Sequence, residues 1–508
     1  LRTIFLWIYI LIIPVSIFPQ NNAEEIIAEV GDDKISSSEF IELYELTPHI
    51  AEDNINSFQG KLNFLNTIIA YKLWSQNKES LNIDYALPYR TAVSEIRKMF
   101  IRDALYRKEI LGRIDISPAE FAEAKLMYER KLEVKYLLPH DEDEANNLLL
   151  LLEAGCSFDS LLLQREESSY QKEPVIISFG DYNESAEKLL YALKPGEYSS
   201  VIKFKDADYI FQLKRVLPRY DDEEKEREAV NNVLKKRKEA VLYELFIKRI
   251  LNGAKADVNR ALFGKVEQQL VNVYAGTNSE KGKDSLIALS TDDFLKIENS
   301  FTEEELNSVF ITFTHGTLLL RDVLRGMFFT GIKMPGTAPQ PVKETFNNYV
   351  KDFIAKEIFY NEGVKQGLEY MPDVQKYIKI WTDFYAFETA RGEMLDTMQV
   401  TSEEIETAYR EQYKNKLTGS RSPEEAKAVL HKTIALNKLN NIITEKTAGF
   451  ASAKTININY DLLRAIEITK INSLVIRNLG FGGTINAVPL YIPNYKWIYS
   501  EKSSYPLP

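Results

Sequence analysis

The sequence predicts a mainly α chain made of two related helical lobes, the first interrupted by a small α+β insert. Three observations predict it. Segments recur along the chain at a nearly constant offset, long stretches hold apolar residues at three-and-four spacing, and the first copy carries roughly 85 residues that the second lacks. At 508 residues the chain exceeds one ordinary core, so several compact units are expected.

The N-terminal segment comes first. Arg2 precedes an apolar run from Ile4 to Phe18, closed by Gln20-Asn21-Asn22. A positive start and a short apolar stretch predict a secretory signal over 1–22, since a spanning helix needs about 20 residues. Retained uncleaved, it would serve as a membrane anchor. Cys156 is the only cysteine, so an exported product has no internal disulfide and depends on packed cores. It sits in Ala154-Gly155-Cys156-Ser157-Phe158, which predicts a helix-to-helix turn with a half-buried small residue.

The repeat sets the domain plan. Gly31 to Phe40 predicts a strand, turn and strand running into a helix, and recurs in outline at Thr314 to Val323, about 283 residues on. Ile69-Ala70-Tyr71-Lys72 with Leu81 parallels Ile354-Ala355-Lys356-Glu357 with Leu368. Ser117 and Thr401 predict helix N-caps, with Glu120 and Glu404 as their capping-box partners. Further on, Glu223 to Leu251, ending in Ala254-Lys255-Ala256-Asp257-Val258-Asn259, parallels Pro423 to Thr447, ending in Ala453-Lys454-Thr455-Ile456-Asn457-Ile458-Asn459, at an offset of only about 199. The shortfall places an insert within the first copy. The plan is a first helical lobe over 23–132, an insert over 133–217, a helix returning to the first lobe over 218–263 and a linker region over 264–310. A second lobe without insert follows over 311–463, then an extended tail over 464–508. Helices are expected at Asn63–Asn77, Thr91–Leu111, Pro118–Leu132, Lys343–Gln366 and Asp373–Met398.

Within the insert, Val134–Leu138, Val175–Phe179, Val201–Phe204 and Tyr209–Leu213 predict strands. Asp141–Glu153, Ser157–Arg165 and Glu184–Leu193 predict helices, the last stopping at Lys194-Pro195-Gly196-Glu197. This order, with Leu-Lys-Pro-Gly-Glu before the final hairpin, resembles the parvulin peptidyl-prolyl isomerases, an FKBP-like fold. The surrounding helices resemble the chaperone part of the SurA, PpiD and PrsA family. The resemblance covers most of 24–263 and, more loosely, the second copy.

The departures from that family bear on mechanism. Where active parvulins carry V-x-H-I-L and G-y-H-I-I, the histidine places hold Tyr136 and Tyr209. The place of an upstream Cys or Asp falls near Glu167, and the pocket Phe falls on Ala186. Tyr136, Glu167 and Tyr209 are thus the candidate catalytic positions, and Leu138, Phe179, Tyr191 and Leu193 the candidate substrate-binding wall. Prolyl rotation faces a barrier of about 18–20 kcal/mol, lowered by an apolar ring pocket and polar groups that favour the twisted amide. Without paired histidines, little or no isomerase activity is expected.

The resemblance implies an exported, periplasmic, ATP-independent chaperone that binds unfolded or nascent exported proteins, outer-membrane proteins among them. The alternatives are an active isomerase and a secretion-accessory protein with one dedicated partner. The net charge of −11, without basic clusters, argues against nucleic acid. His49, His140, His315 and His431 are scattered and form no zinc pattern, so no metal and no cofactor are expected. Tyr377, Trp381, Phe384, Tyr385 and Phe387 are too broadly spread for one helix stripe, and offer either core or a client-binding surface between lobes.

Overall fold

A strand, a tight turn and a second strand open the first copy. β1 (Ile26–Val30) turns at Gly31, whose φ of +56° lies where an L side chain is disfavoured, and returns as β2 (Asp33–Ser36). Ser36 then caps α1 (Ser37–Glu45) by accepting from the Glu39 amide. α2 (Phe58–Gln76), a 3-10 turn at Ile83–Tyr85 and α3 (Leu87–Glu109) follow. Ser117 and Glu120 form the expected capping box of α4 (Pro118–Tyr128). This computed structural model describes residues 25–49, 56–164, 173–205, 207–275, 286–313, 316–413, 422–469 and 474–501. The apolar run before Phe18 lies outside them, and among the described residues no helix is long and apolar enough to cross a membrane.

The chain divides into two units, one formed up to Leu105 and again from Lys255, the other by Tyr106–Ala254. In the second unit a four-stranded antiparallel sheet is built from β3 (Arg130–Leu137), β4 (Val175–Ile177), β5 (Ile202–Phe204) and β6 (Ala207–Pro218), in the order β4-β3-β6-β5. α5 (Glu142–Glu153) and α6 (Phe158–Leu163) pack Leu148, Leu152, Phe158 and Leu162 against Leu137 and Ile210 on one face. The other face, through Leu132, Val134, Phe211 and Leu213, meets α4, α7 (Glu184–Ala192) and α8 (Glu223–Leu251). Helix was expected through Leu132, but α4 stops at Tyr128 and Arg130–Leu132 already pair with Pro218–Val216. Continuing the ladder satisfies backbone groups that a longer helix would have kept from β6. Cys156 is exposed in the α5–α6 turn, not half-buried.

Beyond α8 the chain forms β7 (Ala256–Val258), α9 (Arg260–Ala275), β8 (Ile287–Ala288), α10 (Thr291–Glu298) and α11 (Glu303–Leu306). The described residues of 264–310 are therefore packed elements where a linker was expected. Leu270, Tyr274, Phe294, Ile297 and Leu306 are buried in one core with the second copy, because each of these short helices has an apolar stripe that water would otherwise meet. The second copy runs β9 (Val309–Phe313), β10 (Gly316–Leu319), α12 (Leu320–Thr330), β11 (Lys333–Met334), α13 (Pro339–Lys365), α14 (Pro372–Asp396), α15 (Ser402–Tyr413), α16 (Pro423–Ser452), β12 (Ile456–Ile458) and α17 (Tyr460–Ala465). The correspondence with the first copy extends to detail. A 3-10 turn follows Asn82 (φ +57°) in one and Gly367 (φ +69°) in the other. Thr401 and Glu404 repeat the capping box.

The third strand of each hairpin is exchanged between copies. β12 pairs with β1, setting Ala28 opposite Ile458, while β7 pairs with β9, setting Ile311 opposite Val258. The Asn459 amide donates to the Ile27 carbonyl (2.7 Å), and the Asn259 amide to the Phe310 carbonyl (2.9 Å), one equivalent bond in each sheet. The segment expected to return to the first lobe thus delivers its strand to the second hairpin. The two hairpins offer the same edge, so pairing does not depend on which copy supplies the strand.

The described residues of the C-terminal segment form a short hairpin and a 3-10 turn at Lys496–Tyr499, and they are part of the core. β13 (Ile476–Asn478) and β14 (Thr484–Asn486) form a hairpin turning through Phe481, Gly482 and Gly483, all at positive φ. A Cβ on Gly482 would stand 2.5 Å from Lys356 Cε, and one on Gly483 3.0 Å from Met99 Cε, so the Gly-Gly pair lets the turn seat on α13 and α3. Val488, Trp497 and Ile498 are buried beside Leu65 and Ile69 of α2.

Candidate functional site

In the sheet unit, alternation along β3 and β6 brings Tyr136 and Tyr209 to the same face, with ring centroids 5.6 Å apart in an edge-to-face contact. Both rings also meet Phe211, at 6.1 Å and 5.5 Å. Two residues that the sequence reading passed over complete the cluster. Tyr182 lies 5.6 Å from Phe211 and 4.4 Å from Phe204. Burial, reinforced by Tyr209, Asp181 and Tyr136, pushes the Tyr182 hydroxyl up to about 12. Its only advance signal was an aromatic residue in a turn.

Phe179 and Tyr191 are buried in the same core, and Leu193 packs half-buried against it. The Tyr191 hydroxyl donates to the Arg130 carbonyl (3.2 Å), and the Arg237 guanidinium lies 4.9 Å from the Phe179 ring centre. Leu138 is half-buried one residue beyond β3, and Ala186 is buried. Glu167 lies outside the described residues. The turn carrying Tyr182 is fixed by Glu187, which is 0% exposed. Its carboxylate accepts from the Gly180 amide (2.6 Å), the Tyr182 amide (3.2 Å) and Arg237 (2.6 Å). Tyr136, Tyr182 and Tyr209 thereby form a half-buried aromatic cluster over the buried Phe211.

The larger unit holds a cavity of about 1220 Å³, larger than the ~300–1,000 Å³ of ordinary small-molecule pockets. Its walls come from both copies and the tail: α3, α10, α12, α14 and the β13–β14 hairpin. The aromatic residues singled out on α14 divide between two roles. Phe387 packs on Tyr71 and Trp74, and Tyr377 stacks on Phe100 at 5.3 Å, so these two are structural. Trp381, Phe384 and Tyr385 line the cavity, joined by Phe294, Phe328 and Phe329. The cavity lies inside one unit that both copies build, rather than in a groove between separate lobes.

Charged side chains on its wall are mostly paired. Arg325 donates to Glu298 at 2.9 and 2.7 Å, Lys356 meets Asp352 at 2.6 Å, and Glu388 accepts from Tyr71 and Arg391, both at 3.3 Å. Burial pushes the Glu388 carboxyl above its usual range. Arg102, 3% exposed, has no hydrogen bond or ion pair among the described residues. Sequence gave no hint of it, since an arginine on a charged helix looks solvated. Among the described residues no three His, Cys, Asp or Glu side chains gather as a metal group.

No family model matches the chain, and no curated protein matches it. Among solved structures it is similar to the peptidylprolyl isomerase PrsA from Bacillus anthracis, at 15% identity over 37% of this chain and 96% of that one, with a TM-score of 0.22. The PrsA of Bacillus cereus is similar at 16% identity over 46% and 93%, with a TM-score of 0.23. The foldase protein PrsA from Streptococcus pneumoniae is similar at 17% identity over 43% and 87%, with a TM-score of 0.20.

Proposed function

We infer that this chain is an exported, ATP-independent folding factor that holds unfolded polypeptide, with a parvulin-like module of weak or no isomerase activity. One observation carries the reading: a cavity of about 1220 Å³ faced by Trp381, Phe384, Tyr385, Phe294, Phe328 and Phe329. A cavity of this size with six aromatic residues on its wall favours apolar chain over water, at about 25 cal/mol for each Å² of apolar surface covered. Binding of this kind needs no nucleotide, because release follows when the client buries the same surface in its own fold. The resemblance of the Leu193-to-Glu197 turn and the surrounding helices to the parvulin–chaperone family supports the same reading. The expected place of action is the periplasm, and the expected clients are unfolded exported proteins.

The test is suppression of aggregation of an unfolded outer-membrane protein, by light scattering without nucleotide. The full chain is expected to delay aggregation, and the double variant Phe384→Ser, Tyr385→Ser to lose most of that effect while keeping its circular dichroism spectrum. A full chain that gives no delay, or a double variant as effective as the parent, overturns the reading.

The aromatic face formed by Tyr136, Tyr182, Tyr209 and Phe211 favours a second reading, residual prolyl isomerase activity with tyrosines in place of histidines. A protease-coupled assay on Ala-Xaa-Pro-Phe peptides decides it. A rate that falls in both Tyr136→Phe and Tyr209→Phe supports an enzyme, and a rate at the uncatalysed level excludes one.

A further inference from the structure

We propose that the cavity receives the C-terminal end of an extended apolar polypeptide, with Arg102 binding the chain's terminal carboxylate. The proposal deepens the client-binding reading and rests on it.

Arg102 is the starting point. It lines both the large cavity and an adjoining void of about 10 Å³, room for a single water. The carboxylates that act on it most strongly, Glu95 and Glu357, are both engaged by Lys98, at 3.5 and 2.5 Å. Asp352, which lines the same small void, pairs with Lys356 at 2.6 Å. Arg102 thus borders the cavity with its Nε buried and no acceptor for it among the described residues. A buried cation without hydrogen bonds is costly to keep, and a carboxylate is the acceptor its fork geometry fits best. Burial also pulls the Arg102 guanidinium below its usual range and pushes the Glu357 carboxyl up toward its neutral form. Both directions have burial as their first cause and mark a low-polarity surrounding, in which a charge-assisted bond to Arg102 would be strong.

The rest of the wall says what carries that carboxylate. The cavity is too large for one small acid, and its aromatic residues offer room for several side chains. β14 borders it. Ile485 faces Arg477 within the hairpin, and the bonds at Ala487–Val475 and Leu479–Gly483 fix the alternation. The backbone N–H and C=O groups of Thr484 and Asn486 therefore point to the edge that β13 does not use, where no partner is present among the described residues. An extended segment can add to that edge as a third strand, with alternate side chains entering the cavity. A fatty acid has the carboxylate and the apolar body but nothing for that edge, so the observations favour polypeptide.

The experiment uses the full chain and an eight-residue, aromatic-rich, fluorescently labelled peptide in two forms, free acid and C-terminal amide, read by anisotropy. The free acid is expected to bind about tenfold or more tightly than the amide, the size of a charge-assisted bidentate contact. In Arg102→Gln the two forms are expected to bind alike, and Arg102→Lys should recover only part of the preference. Acid and amide binding equally well to the unaltered protein overturns the carboxylate anchor while the client-binding reading stands. Binding of neither form overturns both. Displacement of the peptide by laurate at lower concentration than by unlabelled peptide overturns the polypeptide source. The acid–amide comparison needs no variant, so it decides even if Arg102→Gln fails to fold.

Discussion

Trp497 gives the sharpest check on the fold, because it lies in a tail that nothing in the sequence periodicity ties to a core. The side chain is 0% exposed, packed in the cluster of Leu65, Ile69 and Val488, and its indole N–H donates to the Asn66 carbonyl at 3.2 Å. Trp497→Ala removes a large buried side chain, which costs about 3–5 kcal/mol with its cavity, plus about 1 kcal/mol for the lost hydrogen bond. The total is about 4–6 kcal/mol, comparable with the ~5–15 kcal/mol net stability of a whole domain. The assay is urea unfolding followed by circular dichroism at 222 nm, with Tyr499→Ala as control. Tyr499 is 59% exposed two residues away, and its loss is expected to change stability by less than about 0.5 kcal/mol. The Trp497 variant should unfold at markedly lower urea, or already be unfolded in part. A loss under about 1 kcal/mol would refute the placement of the tail in the core.

Three further outcomes follow from the geometry. Residues 286–501 expressed alone lack β7 and leave β12 without β1, so no stable folded monomer is expected by size exclusion with light scattering; a monomer with a cooperative transition would count against strand exchange. Glu187→Ala strips Arg237 of its buried partner, which should cost about 3–5 kcal/mol and speed hydrogen exchange at the Gly180 and Tyr182 amides, whereas unchanged exchange would contradict the role assigned to this carboxylate. Burial raises both Tyr182 and Tyr274 to about 12, and a pKa raised in the folded state means stability that is whole below about pH 10 and lost as pH climbs through 12. Absorbance at 295 nm should therefore show a tyrosine fraction that ionises only together with unfolding, and full ionisation near pH 10 in the folded protein would be the contrary result.

What the sequence disclosed was local. Ser117 with Glu120 and Thr401 with Glu404 announce helix starts because a capping box is contained within four residues. Gly31 marks the hairpin because its backbone conformation excludes most other residues. The α9–α11 segment differs from the linker expected over 264–310 because Leu262, Val266 and Leu270, at four-residue spacing, form an apolar stripe that the core of the second copy buries. In the sheet unit, the pairing of Tyr136 with Tyr209 follows from strand alternation, while the turn that seats Tyr182 depends on Glu187 meeting Arg237 across 50 residues. No window shorter than that separation contains the information.

Strand exchange lies beyond sequence reading for a deeper reason. β7 and β12 are three-residue strands, each followed by an asparagine that caps the next helix: Asn259 accepts from the Leu262 amide and Asn459 from the Leu462 amide. The hairpins that receive them are equally alike. Local energetics are therefore nearly degenerate between a strand that closes its own copy and one that closes the other. Each strand follows one long helix, α8 or α16, and the pairing seen is β7 with β9 and β12 with β1. The exchange makes each copy a condition for the other's sheet, and the cavity wall repeats the dependence, drawing α3 from the first copy and α12 and α14 from the second. A duplicated chain of independent lobes could lose one and keep a binding surface; here the aromatic wall and Arg102 meet only when both copies are folded together.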